Sequence, residues 1–373
     1  MKFLIAQLTV AVSLIVAPAA LADHSPKKMM RNFKAFSQLG MTGQLGSFSV
    51  NVSKFGAMPK GAPTSVDTEN YQEMLADKFN LAAIVIKGDD IVFERYKTNK
   101  GFDSNTPMLG MSMSKTAVGA AVGALLCDGK IKSLDDDAGS YSKTLKSSPY
   151  ATIKIRNILQ MNSGVSPLGR GDEKRFNRKS RGVEKFAGEA SVRGALAFYK
   201  EPARDQNSQM NYHSADTLAL SVLVEEIAGA PLADVFYENV YKKFGQDGYM
   251  HWTADGDGTT VSFSDLVMTA RDWGHFGKFL MAEKKAKTCL GSFFNEGVEN
   301  AVTTGKKNGS RYGYQSWVFD VNGKPAMVLQ GHGGQFTVLD ETTDTVLLVM
   351  SLNEDYKAGN LFNSIHKIAE KLN

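Results

Sequence analysis

The chain has 373 residues, 43% of them hydrophobic and 22% charged, with a formal net charge of +4. This composition excludes a disordered or fibrous protein and leaves room for one large or two medium domains, while so mild a charge argues against a nucleic-acid partner. Six scattered histidines and the absence of any Cys-x-x-Cys or His-Glu-x-x-His spacing predict neither a metal site nor a cofactor.

The chain opens MKFLIAQLTVAVSLIVAPAALADH: Lys2, an apolar run from Phe3 to Val16, a break at Pro18, and Ala20-Leu21-Ala22 before Asp23. This is the pattern of a cleaved secretory signal peptide over residues 1–22. Spanning a bilayer takes about 20 apolar residues, and this run is shorter and interrupted by Gln7, Thr9 and Ser13. The expectation is an exported protein, periplasmic or secreted, with no stable membrane insertion after cleavage and a formal charge of +3 once Lys2 is lost. From Asp23 to about Asp67 the composition predicts an extended arm. Val66 to Phe79 is read as a helix capped by Asp67 or Thr68. Leu81 to Ile86, the turn Gly88-Asp89-Asp90 and Ile91 to Tyr96 form a β-hairpin.

Met111 to Cys127, MSMSKTAVGAAVGALLC, carries the chemistry. Positions i and i+3 share a helix face, so the Lys115 amine can sit beside the Ser112 hydroxyl. A serine needs a neighbouring base to become a nucleophile, and a desolvated lysine serves if its pKa falls from about 10.4. The unpaired N–H groups of a helix start can face the oxyanion formed on attack. Ser-x-x-Lys occurs four times, at Ser25/Lys28, Ser112/Lys115, Ser140/Lys143 and Ser364/Lys367. Only Ser112 opens an apolar helix, whose alanines and glycines suit burial between two layers.

Between about Gly129 and Ser264 the pattern changes to helices and polar connections, with helices over Ile153 to Gln160 and Ala215 to Ala228. Arg170 to Lys185, with Lys174, Arg175, Arg178, Lys179 and Arg181 between, is either a solvated basic loop or a rim that attracts anionic substrates. Asn211-Tyr212-His213-Ser214 precedes the second helix, with Ser214 as its cap and Tyr212 either packed or aimed into a cleft to move protons. Two similar triplets are read as mid-helix (Tyr237/Asn239) and on a strand (Tyr314/Ser316). Thr269 to Ala286 is a helix. Strands are expected at Tyr312 to Asp320, Ala326 to Gln330, Gln335 to Asp340 and Thr345 to Leu352, and Leu361 to Leu372 is a last amphipathic helix. Gly331-His332-Gly333-Gly334-Gln335 joins two strands, either as a plain turn or as bare backbone that a ligand approaches closely. Cys127 and Cys289 either pair or remain two buried thiols.

Strands at both ends and helices between predict an α/β fold of the α+β type. An antiparallel sheet flanked by helices comes from residues 23–128 and 265–373, with a helical insertion over 129–264 and the active site in the cleft between them.

Taken together, three segments resemble the serine β-lactamase and penicillin-binding-protein superfamily. Ser112-Met113-Ser114-Lys115 matches its Ser-x-x-Lys element, Tyr212-His213-Ser214 its Tyr-x-Asn with Ser for Asn, and His332-Gly333-Gly334 stands in the place of Lys-Thr-Gly. The likeness covers about Asn80 to the C-terminus and is nearest to the class C β-lactamase-related branch, which includes esterases, D-amino-acid peptidases and 6-aminohexanoate-dimer hydrolases. TIKIRNILQMNSG, MTARDWGHFGKFL and YGYQSW are similar to family segments as well. The fold implied is β-lactamase/DD-peptidase-like. The resemblance makes Ser112 the acylated nucleophile, Lys115 its base and Tyr212 the donor to the leaving group. The backbone N–H groups of Ser112 and Gln335 become the oxyanion hole, and His332, Gly333, Gly334 and Ser214 line the substrate cleft. The implied function is an exported serine hydrolase acting on a small amide or ester. Its alternatives are a β-lactamase or D-Ala-D-Ala carboxypeptidase, and a non-catalytic protein that binds cell-wall peptides or a partner. Because His332 and Gly333 replace the lysine and hydroxyl that family β-lactamases offer to a substrate carboxylate, linear substrates are expected over β-lactams.

Overall fold

The structure is a computed structural model that describes residues 44–45, 48–52, 80–98, 101–180, 192–245, 250–255 and 258–351. The expected signal peptide, most of the arm, the helix Val66 to Phe79, the closing helix Leu361 to Leu372 and the end of the basic stretch, Arg181 to Lys185, lie outside the described residues.

The strands are β1 (Gln44–Leu45), β2 (Phe48–Val52), β3 (Asn80–Lys87), β4 (Asp90–Tyr96), β5 (Pro107–Leu109), β6 (Met250–Asp255), β7 (Leu266–Thr269), β8 (Val302–Thr303), β9 (Arg311–Gly313), β10 (Ser316–Val321), β11 (Lys324–Gly331), β12 (Gln335–Asp340) and β13 (Thr345–Ser351). The helices are α1 (Ser114–Cys127), α2 (Lys143–Lys146), α3 (Ile155–Leu159), α4 (Arg170–Ser180), α5 (Ser214–Ala228), α6 (Leu232–Asn239), α7 (Ala270–Ala286) and α8 (Cys289–Glu299).

Eight antiparallel strands form the main sheet in the order β4-β3-β13-β12-β11-β10-β9-β8. The expected hairpin β3–β4 is joined by β13 from the far end of the sequence, with Ile86 opposite Val346 and Ile84 opposite Leu348. Alternation along β13 sends Val346, Leu348 and Met350 into the core shared with the helices, and Leu347 and Val349 into a second core with Trp317, Phe319 and Phe336. Both faces are buried, which is why these strands read as unbroken apolar runs. Helix α7, capped by the Thr269 hydroxyl accepting from the Asp272 N–H at 3.1 Å, lies flat on the sheet. Its Gly277 makes that possible, since a Cβ there would stand 2.6 Å from Thr337 and 2.9 Å from Val346. The α+β class with an antiparallel sheet and flanking helices is therefore the one observed.

Helix α1 is buried from Ser114 to Leu125, packed among α5, α6 and α8. Its glycines admit large neighbours: a Cβ on Gly123 would meet Leu290 at 2.7 Å and Phe293 at 2.9 Å. A second sheet, β1-β2-β6-β7-β5, lies beside it. Strand β6 falls in the stretch read from sequence as helices and connections, and β1 and β2 fall in the arm. All three are short, and β6 alternates only weakly, so periodicity did not separate them from loops.

Cys127 and Cys289 form a disulfide, Cα atoms 5.8 Å apart, tying the end of α1 to the start of α8 across 162 residues. A native cross-link of this kind contributes about 2 to 5 kcal/mol. Adding reductant should lower the melting temperature of the wild type by several degrees, yet leave a Cys127→Ser/Cys289→Ser variant unmoved. A wild-type transition indifferent to reductant would remove the bond from the account of stability.

Candidate active site

Ser112 sits in a single 3-10 turn, Met111–Met113, at the mouth of α1. The turn is pinned from every side. Met111 takes a left-handed φ of 49°, which reverses the chain abruptly between β5 and the helix. The Ser114 hydroxyl donates to the Met111 carbonyl at 2.7 Å and accepts the Leu266 N–H at 3.1 Å, while the Gly110 N–H donates to the Leu266 carbonyl at 2.9 Å. Gly110 rests on Trp273, where a Cβ would lie 2.0 Å from the indole, and a Cβ on Gly331 would lie 2.5 Å from the Gly110 carbonyl. Only glycine fits at either point, so β11 and α7 hold the turn by direct contact.

Lys115 stands within the first turn of α1, and its residue is 2% exposed. Its ammonium donates to the Phe263 carbonyl at 2.6 Å and lies 3.4 Å from Ser112 Oγ. It also lies 5.3 Å from the ring centre of Tyr212 and 5.7 Å from that of Phe263, within reach of cation–π attraction. Ser112 and Tyr212 are thus brought together around the Lys115 amine. Burial pushes the Tyr212 phenol well above its ordinary value, outweighing the Ser112 hydroxyl that lowers it. At neutral pH the phenol therefore keeps its proton, and what it can supply is a hydrogen.

Aromatic packing fixes Tyr212: it stacks on Trp317 with centroids 5.2 Å apart and meets the edge of Tyr312 at 5.6 Å. The next residue, His213, caps α5 through Nδ1, which accepts the Ala215 N–H at 3.1 Å. The expected cap, Ser214, is instead the first helical residue, and its hydroxyl donates to Glu173 Oε1 at 2.6 Å. An imidazole nitrogen spent as acceptor leaves the proton on Nε2, which faces Asp172 Oδ2 at 3.1 Å and the Tyr199 hydroxyl at 2.9 Å. Burial lowers the His213 pKa against the pull of Glu173 and Asp172, so the ring is neutral.

Asp172 and Glu173 come from the stretch read as a basic loop. It is helix α4 over residues 170–180, with its two carboxylates turned toward the site and Lys174 and Arg175 turned to solvent. The Asp-Glu pair inside a basic run was the available signal. The Phe263 carbonyl had none, because a backbone acceptor leaves no mark on composition.

The 331–335 segment is a tight connection between β11 and β12, with φ of 93° at Gly333 and 85° at Gly334. Side chains rarely adopt these angles, so the backbone shape itself disfavours a hydroxyl-bearing residue at 333. His332 is exposed at its tip. Gln335 is fully buried, paired opposite Gly331 and hence beside the Ser112 turn. Among the described residues no group of His, Cys, Asp and Glu is arranged to hold a metal.

A profile of the family described as Beta-lactamase matches residues 69–369. The chain is 23% identical over 307 residues to the 6-aminohexanoate-dimer hydrolase of Paenarthrobacter ureafaciens, covering 76% of this chain and 75% of that one. Its structure is similar to a Bacillus anthracis protein named as a candidate 6-aminohexanoate-dimer hydrolase, with a TM-score of 0.78, 18% identity and coverage of 98% and 99% of the two chains. It is also similar to a class C β-lactamase, with a TM-score of 0.62, 13% identity and coverage of 82% and 95%.

Beneath the site, Asp216 on α5 accepts from Tyr150 at 2.8 Å and Ser163 at 2.7 Å, and burial pushes its pKa up to about 7 despite those bonds. A folded value above the unfolded one means that the linked stability is full below about pH 4 and lost as pH rises through about 7. Asp216→Asn should therefore gain on the wild type between pH 5 and 8, by on the order of 2 to 4 kcal/mol. Denaturant unfolding of both proteins at the two pH values measures it; parallel curves would show that Asp216 does not titrate there.

Proposed function

The chain belongs to the β-lactamase family, and from that premise we propose that it is an exported serine hydrolase that cleaves small amides or esters through an acyl-enzyme on Ser112. The observation that carries the reading is the convergence around the buried Lys115 amine of Ser112 Oγ, 3.4 Å away, and the Tyr212 ring, its centre 5.3 Å away. In its neutral form Lys115 takes the Ser112 proton as Oγ attacks the carbonyl carbon. The backbone N–H groups of Ser112 and Gln335 stabilise the tetrahedral oxyanion. Tyr212 passes a proton to the departing amine or alcohol, for which a phenol kept protonated by burial is suited. Water then attacks the acyl-serine ester and frees the acid. Export is supported by the signal-peptide pattern and by the Cys127–Cys289 bond, which suits an oxidising compartment. The similarity to a 6-aminohexanoate-dimer hydrolase favours a linear amide.

Specificity is set by the β11–β12 connection, with an exposed His332 and a glycine at 333. A fixed cation and a hydroxyl are both lacking there, and charged hydrogen bonds contribute about 1.5 to 3 kcal/mol each. At a factor of ten per ~1.4 kcal/mol, β-lactams should trail linear substrates by about one to three orders of magnitude. Intact-mass analysis with a fluorophosphonate should show one adduct, absent from Ser112→Ala. On the same preparation, kcat/KM should be higher for a p-nitrophenyl ester than for a chromogenic cephalosporin. An adduct that survives Ser112→Ala, or a cephalosporin turned over as well as the ester, overturns the corresponding half of the reading. No adduct at all returns the protein to the non-catalytic alternative.

A further inference from the structure

The turn between β9 and β10 consists of Tyr314 and Gln315, with φ of 47° and 65°. The sequence placed Tyr314 within a strand, but it occupies this turn. Two-residue hairpins with both centres left-handed ordinarily carry Asn-Gly; here both positions hold large side chains in a conformation that disfavours them. The surroundings account for it. The turn leaves the sheet and inserts among α1, α3, α5 and α8. A Cβ on Gly119 of α1 would lie 2.8 Å from the Tyr314 carbonyl, and one on Gly297 of α8 would lie 2.7 Å from the Tyr314 ring. Tyr314 accepts from Arg156 Nη1 at 2.5 Å.

Gln315 is 1% exposed, and its polar atoms are engaged on three helices. Its N–H donates to the Leu159 carbonyl at 2.9 Å, and its amide nitrogen donates to the carbonyls of Ile158 and Leu159 at 3.3 and 3.2 Å. Its side-chain oxygen accepts from Thr217 at 2.7 Å and its backbone carbonyl from Thr116 at 3.0 Å. Thr116 is the neighbour of Lys115 on α1. Thr217 lies in the first turn of α5, whose entry is Tyr212-His213. The one buried amide is therefore bonded to both helices whose starts carry the chemistry, with its backbone on the Lys115 side and its side chain on the Tyr212 side.

We infer that Gln315 is a positioning residue: its side chain, through Thr217, sets where α5 presents Tyr212 relative to the Ser112–Lys115 pair. The inference rests on the serine-hydrolase reading and deepens it. A displacement near 1 Å of a reacting group costs about a hundredfold, and the group displaced here is the proton donor. Its loss matters for an amine that must leave protonated, and little for p-nitrophenolate.

The test uses the full mature protein with Gln315→Gly and, separately, Thr217→Val. Glycine keeps the left-handed turn and loses only the side-chain bonds, while Thr217→Val deletes the hydroxyl at nearly constant shape. Active sites are counted by fluorophosphonate titration, and kcat per titrated site is measured on a p-nitrophenyl ester and on an alkyl amide of the same acyl group. We expect the amide kcat to fall by about tenfold to a hundredfold and the ester kcat by less than about threefold, with both KM values nearly unchanged. A purely architectural role would lower the number of titrated sites or the melting temperature and leave kcat per site alone. That result, or equal losses on ester and amide, overturns the inference. A wild type that takes no adduct at Ser112 instead defeats the serine-hydrolase reading on which it stands.

Discussion

Everything in the site depends on holding one amino group out of water. Lys115 is 2% exposed, and a polar group taken from water costs free energy unless the protein supplies a substitute for hydration. The substitutes are the Phe263 carbonyl, the Ser112 hydroxyl and the faces of Tyr212 and Phe263. They come from three separate stretches of chain, so the amine can be held only where all three meet. Helix α1 must then be sunk between the layers, and its composition of alanine, glycine and valine is what so crowded a position permits.

The same crowding explains the rigidity of the Ser112 turn. Gly110 and Gly331 let Trp273 and the end of β11 approach within distances that no other residue allows. Met111 accepts a left-handed backbone that the Ser114 bonds on either side over-determine. Strain of this kind persists where the surroundings leave no alternative, and here it fixes the place of Ser112 at the start of α1.

Much of this was legible in the sequence. The hairpin β3–β4, the strands β11 to β13 and the helices α1, α5 and α7 announce themselves by apolar runs, spacing and punctuating glycines. Ser112 is set apart from the other Ser-x-x-Lys serines by the run of small apolar residues on its C-terminal side. What escaped has common physical causes. Tyr314 and Gln315 sit in a turn that local preference would assign to Asn-Gly, because tertiary hydrogen bonds override that preference. His213 takes the cap expected of Ser214, because Glu173, distant in sequence, claims the serine hydroxyl. The Phe263 carbonyl is a backbone atom, and no residue type marks it.

The disulfide also decides what a break in the chain does. Lys115 and Ser112 lie on the N-terminal side of Cys127, whereas Tyr212 and Phe263 lie inside the 162-residue span closed by Cys127 and Cys289. A protease cut between Cys127 and Tyr212 therefore leaves Ser112 and Lys115 on one polypeptide and Tyr212 and Phe263 on another, the two still joined through α1 and α8. Without reductant such a nicked molecule stays a single covalent particle. A reducing solution removes the covalent link between the two pieces.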